Sequence, residues 1–480
     1  MSSPLWRKKP IQSDPSSNSG LKRVLGRWQL IALGVGVTIG AGLFSLTGVA
    51  AGQNAGPGVT LSYIIAAITC GFAGLCYGEL ASMMPSGGSA YTYSYAAFGE
   101  IIAWMIGWDL VLEYTIGAAA VASSWSGYVT SLLNDWGLYI DPRLLAPPMT
   151  PVHLANGDVV PAWFNAPAVF ILLVVTALLM RGMSESTKIN NVLVFVKVAV
   201  IVLVVAMCAK YINTANYHPF IPHNQGDFGQ FGFSGVMRAA GMAFFAYIGF
   251  DIISTTAQDS KNPSKDLPVA MIATLLICAV VYAGFSLVLT GVVNYQKLAN
   301  DPSPVATVVN IAHAGWLNNF VKMGISAGYI SVIFGLLLGQ ARVFLVMSRD
   351  GLLPHIFSKL HHKTHTPWTS HLMFFVITSI FAAVLPIGEL GSMTSIGTIF
   401  AFVLVCIGVP VLRLRAPDAE RRFRVPGGMI VPILGTVFCG VSMASLDKMT
   451  WIRLLIWLVF GLVVYAFYGK KHSALSLGEK

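Results

Sequence analysis

Residues 34–42 read Gly34-Val35-Gly36-Val37-Thr38-Ile39-Gly40-Ala41-Gly42, four glycines in nine residues inside an apolar stretch running from about 28 to 50. Glycine costs about 1 kcal/mol relative to alanine in a helix interior, so a helix here is weakest at its centre. A second interruption lies in Phe244-Phe245-Ala246-Tyr247-Ile248-Gly249-Phe250-Asp251, where a glycine and an acid stand inside the apolar stretch 233–257. Each break would free N–H groups at the start of one half-helix and carbonyls at the end of the other. The N–H groups suit a carboxylate and the carbonyls suit an ammonium group. An amino acid zwitterion presents both. The alternative reading is that the glycines serve close helix packing alone.

Ten further stretches are as apolar as these two. With them the runs are about 28–50, 57–82, 100–131, 162–180, 189–209, 233–257, 268–291, 317–346, 368–386, 392–412, 428–446 and 451–468. A helix needs about 20 mostly apolar residues to cross a bilayer, and the strand alternation of a barrel is missing from runs such as Val169–Met180. The expected fold class is therefore an all-α membrane protein with twelve transmembrane helices. The two interrupted runs take matching places if the first ten helices form two halves of five, the sequence pattern that points to a transporter binding site. Composition agrees: 55% of residues are hydrophobic and 10% charged, far below the roughly 25% charged of soluble domains.

Basic residues set the expected orientation. With the N-terminus inside, 22 of the 30 Lys and Arg residues fall in inside segments, from Arg7, Lys8, Lys9, Lys22, Arg23 and Arg27 to Lys470, Lys471 and Lys480. Both termini are thus expected in the cytoplasm of a multi-pass protein of the cell membrane. The net charge of +10 follows from these connecting segments and gives no reason to expect nucleic acid. All six cysteines lie in apolar runs, without a disulfide framework or metal spacing. No cleavable signal peptide is expected. Without a Walker motif, nucleophile elbow or HExxH, ATP-driven transport and hydrolase chemistry have no support, and neither enzyme activity, cofactor nor metal is expected. A channel lacks its repeated acidic ring.

Charges inside apolar runs are expensive and mark function or a partner. Lys197 sits mid-way along the fifth run, too deep to snorkel. A buried amine gives up its proton more readily than a solvated one, which makes Lys197 a candidate proton carrier; the other reading is a structural cation bonded to carbonyls. Asp109 and Glu113 share a face of the third run, four residues apart. Glu113 is placed in or beside the site, whereas Asp109 either lines the path or pairs with a base at the cytoplasmic edge. Glu79 and Arg342 approach the inner ends of their runs and could form an inner ion pair, while Arg238 and Lys322 are expected to face water.

Six motifs narrow the picture: Ile39-Gly40-Ala41-Gly42-Leu43-Phe44, Tyr77-Gly78-Glu79-Leu80-Ala81-Ser82, Pro85–Tyr93, Gly107-Trp108-Asp109-Leu110, Phe245–Asp251 and Ser348–Pro354. Together, in order and over nearly the whole chain, they resemble the amino acid–polyamine–organocation superfamily and, within it, a bacterial member of the cationic amino acid transporter family. The resemblance implies a leucine-transporter-type fold of five plus five inverted helices and two more: a tail at 1–27, a core at 28–412 with halves at about 28–210 and 233–412, two added helices at 413–468, and a tail at 469–480. It implies substrate carboxylate on the N–H groups of Ala41 and Gly42 beside Gly40, and substrate ammonium on carbonyls around Thr38, Ile39, Phe245, Ala246 and Ile248. It places Lys197 where sodium-coupled relatives hold a sodium ion, bonded to carbonyls near Gly34 to Thr38 and near Ser331, and gives side-chain selectivity to Glu113 and Leu336.

The sequence departs from the family pattern at Ala41, where a hydroxyl residue is usual, at Thr38, usually aliphatic, and at Gln258, often acidic. The bulky Leu336 favours a small neutral substrate over arginine or lysine. The expected function is proton-coupled symport of a small neutral L-amino acid, with a cationic one as the second candidate, by alternating access, with substrate, proton and lipid bilayer as partners. The alternatives are an amino acid or polyamine exchanger and a non-transporting sensor, against which the short C-terminal tail speaks.

Overall fold

Glycine and proline punctuate an otherwise helical chain, and the helices follow the apolar runs. The computed structural model describes residues 6–11, 23–85, 88–154, 157–299, 301, 303–312 and 315–477. Lys22, Ser86, Gly87 and Lys480 lie outside the described residues, as do parts of both tails.

The first apolar run is three pieces, α1 (Arg27–Thr38), α2 (Ala41–Phe44) and α3 (Leu46–Ala50), leading through tight turns to α4 (Val59–Met83). A short α5 (Ala90–Ala97) precedes the long α6 (Glu100–Asp135). A small antiparallel hairpin, β1 (Pro151–His153) and β2 (Val159–Pro161), sets Val152 opposite Val160. Then come α7 (Ala166–Arg181), α8 (Met183–Cys208), α9 (Gly232–Tyr247), α10 (Ile252–Thr255), α11 (Pro263–Val292) and α12 (Pro304–Ile311). The chain continues with α13 (Gly315–Arg349), α14 (Trp368–Val384), α15 (Ile387–Arg415), α16 (Ile430–Ala444) and α17 (Lys448–Val464). Several helices outrun their apolar stretches: α8 begins at Met183, ahead of the apolar run at 189, and α15 runs from Ile387 to Arg415. Backbone hydrogen bonding carries a helix past the lipid boundary, so hydropathy marks the apolar part and not the helix end.

Eight helical stretches among the described residues are long and apolar enough to cross a membrane. Helices α7, α14 and α16 are equally apolar but shorter, and α1 stops at its break. Helices α6 and α13 run along each other at the centre, α4 packs on α11, α7 on α14, and α2 and α3 on α9. The periphery is oily. Phe170, Leu173 and Val174 of α7, Val192 and Phe195 of α8, and Leu372, Val376 and Ile380 of α14 are all exposed. Their three- and four-residue spacing makes continuous apolar stripes, which water would penalise by about 25 cal/mol per Å² and lipid does not. The molecule is an all-helical, multi-pass membrane protein.

Buried ion pairs hold the end of the bundle that carries most Lys and Arg, here termed the basic end. Glu79 does not meet Arg342. It takes a forked contact from Arg413, at 2.9 Å to Nε and 2.5 Å to Nη2, a bond from the Val425 N–H at 2.7 Å, and an approach by Arg421 at 3.4 Å. Arg342 instead reaches Asp259 at 3.3 Å. The acid missing at Gln258 is thus supplied one residue later. Lys322 does not face water either: it is 4% exposed and paired with Asp135 at 2.6 Å. Its partner sits at the end of α6, beyond the apolar stretch that hydropathy marks. Because removing one member of a buried pair strands the other charge, Glu79→Ala is expected to cost about 3–5 kcal/mol. A thermal melt of the purified variant checks this, and an unchanged melting temperature would refute the buried pair.

Candidate functional site

Helix α1 ends at Thr38, Ile39 turns extended, and α2 restarts at Ala41. Helix α9 ends at Tyr247, and the chain passes through an extended Ile248 and Gly249 before α10. Gly249 has φ +122°, a conformation that side chains rarely adopt. The two breaks face each other. A Cβ on Gly42 would lie 2.3 Å from Ala246 Cα, and one on Gly249 would lie 2.8 Å from the Thr38 nitrogen. Only glycine lets the two backbones approach this closely.

The carbonyls released by the first break are taken up by side chains from three other helices. Lys197 of α8, fully buried, donates from Nζ to the Gly36 carbonyl at 2.5 Å and the Ile39 carbonyl at 2.8 Å. Ser331 of α13 donates from Oγ to the same Gly36 carbonyl at 3.0 Å. Of the two acceptors, Gly36 lies within the expected Gly34–Thr38 stretch and Ile39 one residue past it, both on the α1 side of the break, and Ser331 shares the Gly36 acceptor. The Tyr282 hydroxyl of α11 lies 2.8 Å from the Thr38 carbonyl and 2.6 Å from the Ala246 carbonyl. A hydroxyl has one hydrogen, so it serves one of them at a time. On the other side of the break, Tyr63 donates to the Gly42 carbonyl at 2.6 Å and Tyr128 to the Phe44 carbonyl at 3.0 Å.

Of the carbonyls that the resemblance assigns to an ammonium group, Ile39 is occupied by Lys197, and Thr38 and Ala246 share the single hydroxyl of Tyr282. Phe245 and Ile248 flank them on α9 and just past its end. Gly40 precedes α2, and Ala41 and Gly42 begin it, where helical N–H groups have no preceding turn to bond. The Thr38 hydroxyl is buried and has no partner.

Three carboxyl groups lie buried beside this junction. Asp251, in the α9 break, accepts from the Tyr114 hydroxyl at 2.6 Å and the Gly249 N–H at 3.2 Å. Glu113 and Asp109 on α6 are fully buried, and no cation pairs with either; Glu113 has the Thr398 hydroxyl of α15 beside it, and neither Asp109 oxygen has a hydrogen-bond partner. Asp109 thus does not pair with a base; it faces Gly397 of α15, where an added Cβ would lie 3.0 Å from its Oδ1. Leu336 of α13 packs against Gly117, one turn beyond Glu113. Sequence reading missed Tyr282 and Tyr63, because a tyrosine in an apolar run looks like any large core residue until its hydroxyl is seen on a freed carbonyl.

Paired helix breaks inside an apolar bundle, with a lysine, a serine and three tyrosines on the carbonyls around them, point to the class of membrane transporters. The chain matches the family model described as amino acid permease over residues 25–473, and it belongs to that family within the amino acid–polyamine–organocation superfamily. It is 40% identical to the branched-chain amino acid permease BcaP of Bacillus subtilis over 99% of this chain and 100% of that protein. It is 39% identical to the methylthioribose transporter of the same organism, again over 99% of this chain and 100% of that protein. With the vacuolar cationic amino acid transporter 2 of Arabidopsis thaliana it shares 36% identity over 87% of this chain and 64% of that protein. The chain is an amino acid permease and not an enzyme.

Proposed function

We propose that this permease imports a neutral amino acid together with a proton, alternating between outward and inward states. Lys197 carries the reading. Its ammonium bridges the two carbonyls where α1 breaks, so its charge state and the geometry of the break are linked. Protonated, it braces α1; losing the proton with substrate bound releases that brace and favours the inward state. Proton coupling also gives a reason for the unpaired Asp109 and Glu113, since a buried carboxylate without a cation is costly and a protonated carboxyl is not.

Substrate carboxylate binds the N–H groups of Ala41 and Gly42, and ammonium binds the carbonyls at Phe245, Ala246 and Ile248, displacing Tyr282 from Ala246. Glu113 and Leu336 border the side chain. Branched-chain amino acids are the first candidates, given the name of the Bacillus relative. The zwitterion-matched breaks favour an amino acid over methylthioribose, which lacks that carboxylate and ammonium pair.

Architecture supports the same reading. The pairing of α4 with α11, α6 with α13, α7 with α14, and α2 and α3 with α9 matches the first four helices of one half to those of the other. We take 28–412 as a ten-helix core of two inverted halves within twelve spans. The added helices at 413–468 lie outside it, in keeping with the largely lipid-exposed α17. The charge asymmetry supports a cytoplasmic position for both termini of a protein in a bacterial cell membrane.

Thermal stabilisation of the purified protein by each of the twenty amino acids, and by methylthioribose, tests the substrate. Stabilisation by Val, Leu or Ile supports the reading, and stabilisation by methylthioribose alone overturns it. Leu336→Ala is expected to improve competition by bulkier side chains about tenfold, as removal of pocket methylenes does elsewhere. Unchanged competition constants would take Leu336 out of the substrate pocket.

A further inference from the structure

Two hollows lie along the α4–α11 pair, away from the breaks. The first opens at the basic end and measures about 580 Å³, within the roughly 300–1,000 Å³ of small-molecule sites. Arg23, Arg27, Lys261, Lys265 and Arg422 line it against two acids, Asp266 and Glu420. Arg27 holds Asp266 through Nε at 2.9 Å, and Arg422 holds Glu420 through Nε at 3.1 Å. Both acids are thus matched, and the exposed Lys261 and Lys265 have no acid partner among the described residues. The second hollow is an apolar groove of about 480 Å³, between Ile64, Ile68 and Leu75 of α4 and Ile272, Leu276 and Ala279 of α11. Ile64, Ile68 and Leu276 are exposed there.

Helical spacing puts the two in line. Ser82, in the wall of the first hollow, Leu75 and Ile68 follow one another at intervals of seven on α4, and Lys265, Ile272 and Ala279 do the same on α11. Residues seven apart share a helix face, and each interval rises about 10 Å. The step between the hollows is apolar too: Phe423 and Pro268 lie against Gly78, and Val269 is exposed. Membrane topology alone accounts for cations at this end, but not for an apolar groove that starts beneath them on the same two helix faces. We propose that the two hollows form one site for a phospholipid with an anionic headgroup. Its phosphate sits among the lysines and arginines, and one acyl chain runs along the groove. A neutral headgroup would leave the surplus of cations unmatched, and a free phosphate would leave the groove unused. The headgroup bridges cations on both sides of a backbone clasp, where the Val24 and Leu25 N–H groups donate to the Asp259 carbonyl and the Lys261 N–H to the Leu25 carbonyl, at 2.9 Å each. The lipid therefore holds the segment before α1 to the segment after α10. This site does not depend on which substrate is carried.

Native mass spectrometry and thermal melts of the full chain in detergent test it, with phosphatidylglycerol, phosphatidylcholine of the same chains and inorganic phosphate as probes. Phosphatidylglycerol is expected to remain bound as one tight copy and to raise the melting temperature saturably, by roughly 2 °C or more over phosphatidylcholine. Inorganic phosphate should not reproduce that shift. Lys261→Gln combined with Lys265→Gln should weaken phosphatidylglycerol binding roughly tenfold or more. Ala279→Trp, which fills the groove and leaves every charge in place, should weaken it likewise; Ala67→Phe on the opposite wall takes its place if that variant does not fold. Lys470→Gln combined with Lys471→Gln, at the same end but outside the hollow, should bind as the unmodified protein does. Equal melting in the two lipids, the full shift with inorganic phosphate, binding that survives filling of the groove, or an equal loss in the Lys470 and Lys471 variant overturns the site.

Discussion

Lys197→Ala, purified and reconstituted in liposomes, is expected to lose uptake driven by a proton gradient by roughly a hundredfold. The substitution removes two charge-assisted hydrogen bonds to Gly36 and Ile39, each worth about 1.5–3 kcal/mol, and with them the link between a titrating group and the first break. Lys197→Gln separates coupling from folding. Its amide still offers donors to the same carbonyls but carries no proton, so the protein should fold and bind substrate while ignoring the gradient. Gradient-driven uptake by Lys197→Ala at the unmodified level would remove Lys197 from the coupling mechanism.

Gly42→Ala should be nearly as severe. A methyl group there would sit 2.3 Å from the Ala246 backbone, a distance that no rotamer change relieves because both sides are main chain. The breaks must part, and the N–H and carbonyl groups that would share one substrate then separate. Uptake is expected to fall at least tenfold, in keeping with the sensitivity of positioned groups to shifts near 1 Å. Gly71→Ala on α4, where an added Cβ meets nothing within 4 Å, is the matched control and should transport normally. If both variants transport alike, the breaks do not face each other as described.

Both breaks were legible because glycine content weakens a helix locally, a property of neighbouring residues alone. Lys197 was legible for a related reason: a charge in mid-run must find a polar partner, and a helix broken at the same depth offers spare carbonyls. Ion pairs were not. Whether Glu79 meets Arg342 or Arg413 depends on which helix ends lie side by side, and Arg342 proved closer to Asp259. Lys322 looked solvated because the apolar run of α6 stops near 131, whereas the helix continues to Asp135, its partner. The tyrosines on the freed carbonyls were hidden for the same reason. A hydroxyl near a break in space carries no mark in sequence, and Tyr282 stands more than thirty positions from the nearer break.

The central claim is that amino acid and proton move together through the paired breaks. Proteoliposomes holding a trapped pH indicator and given labelled leucine from outside, with no amino acid preloaded, test it most directly. Uptake accompanied by internal acidification is expected. Uptake that needs preloaded amino acid and leaves the internal pH unchanged would contradict the claim and make this permease an exchanger.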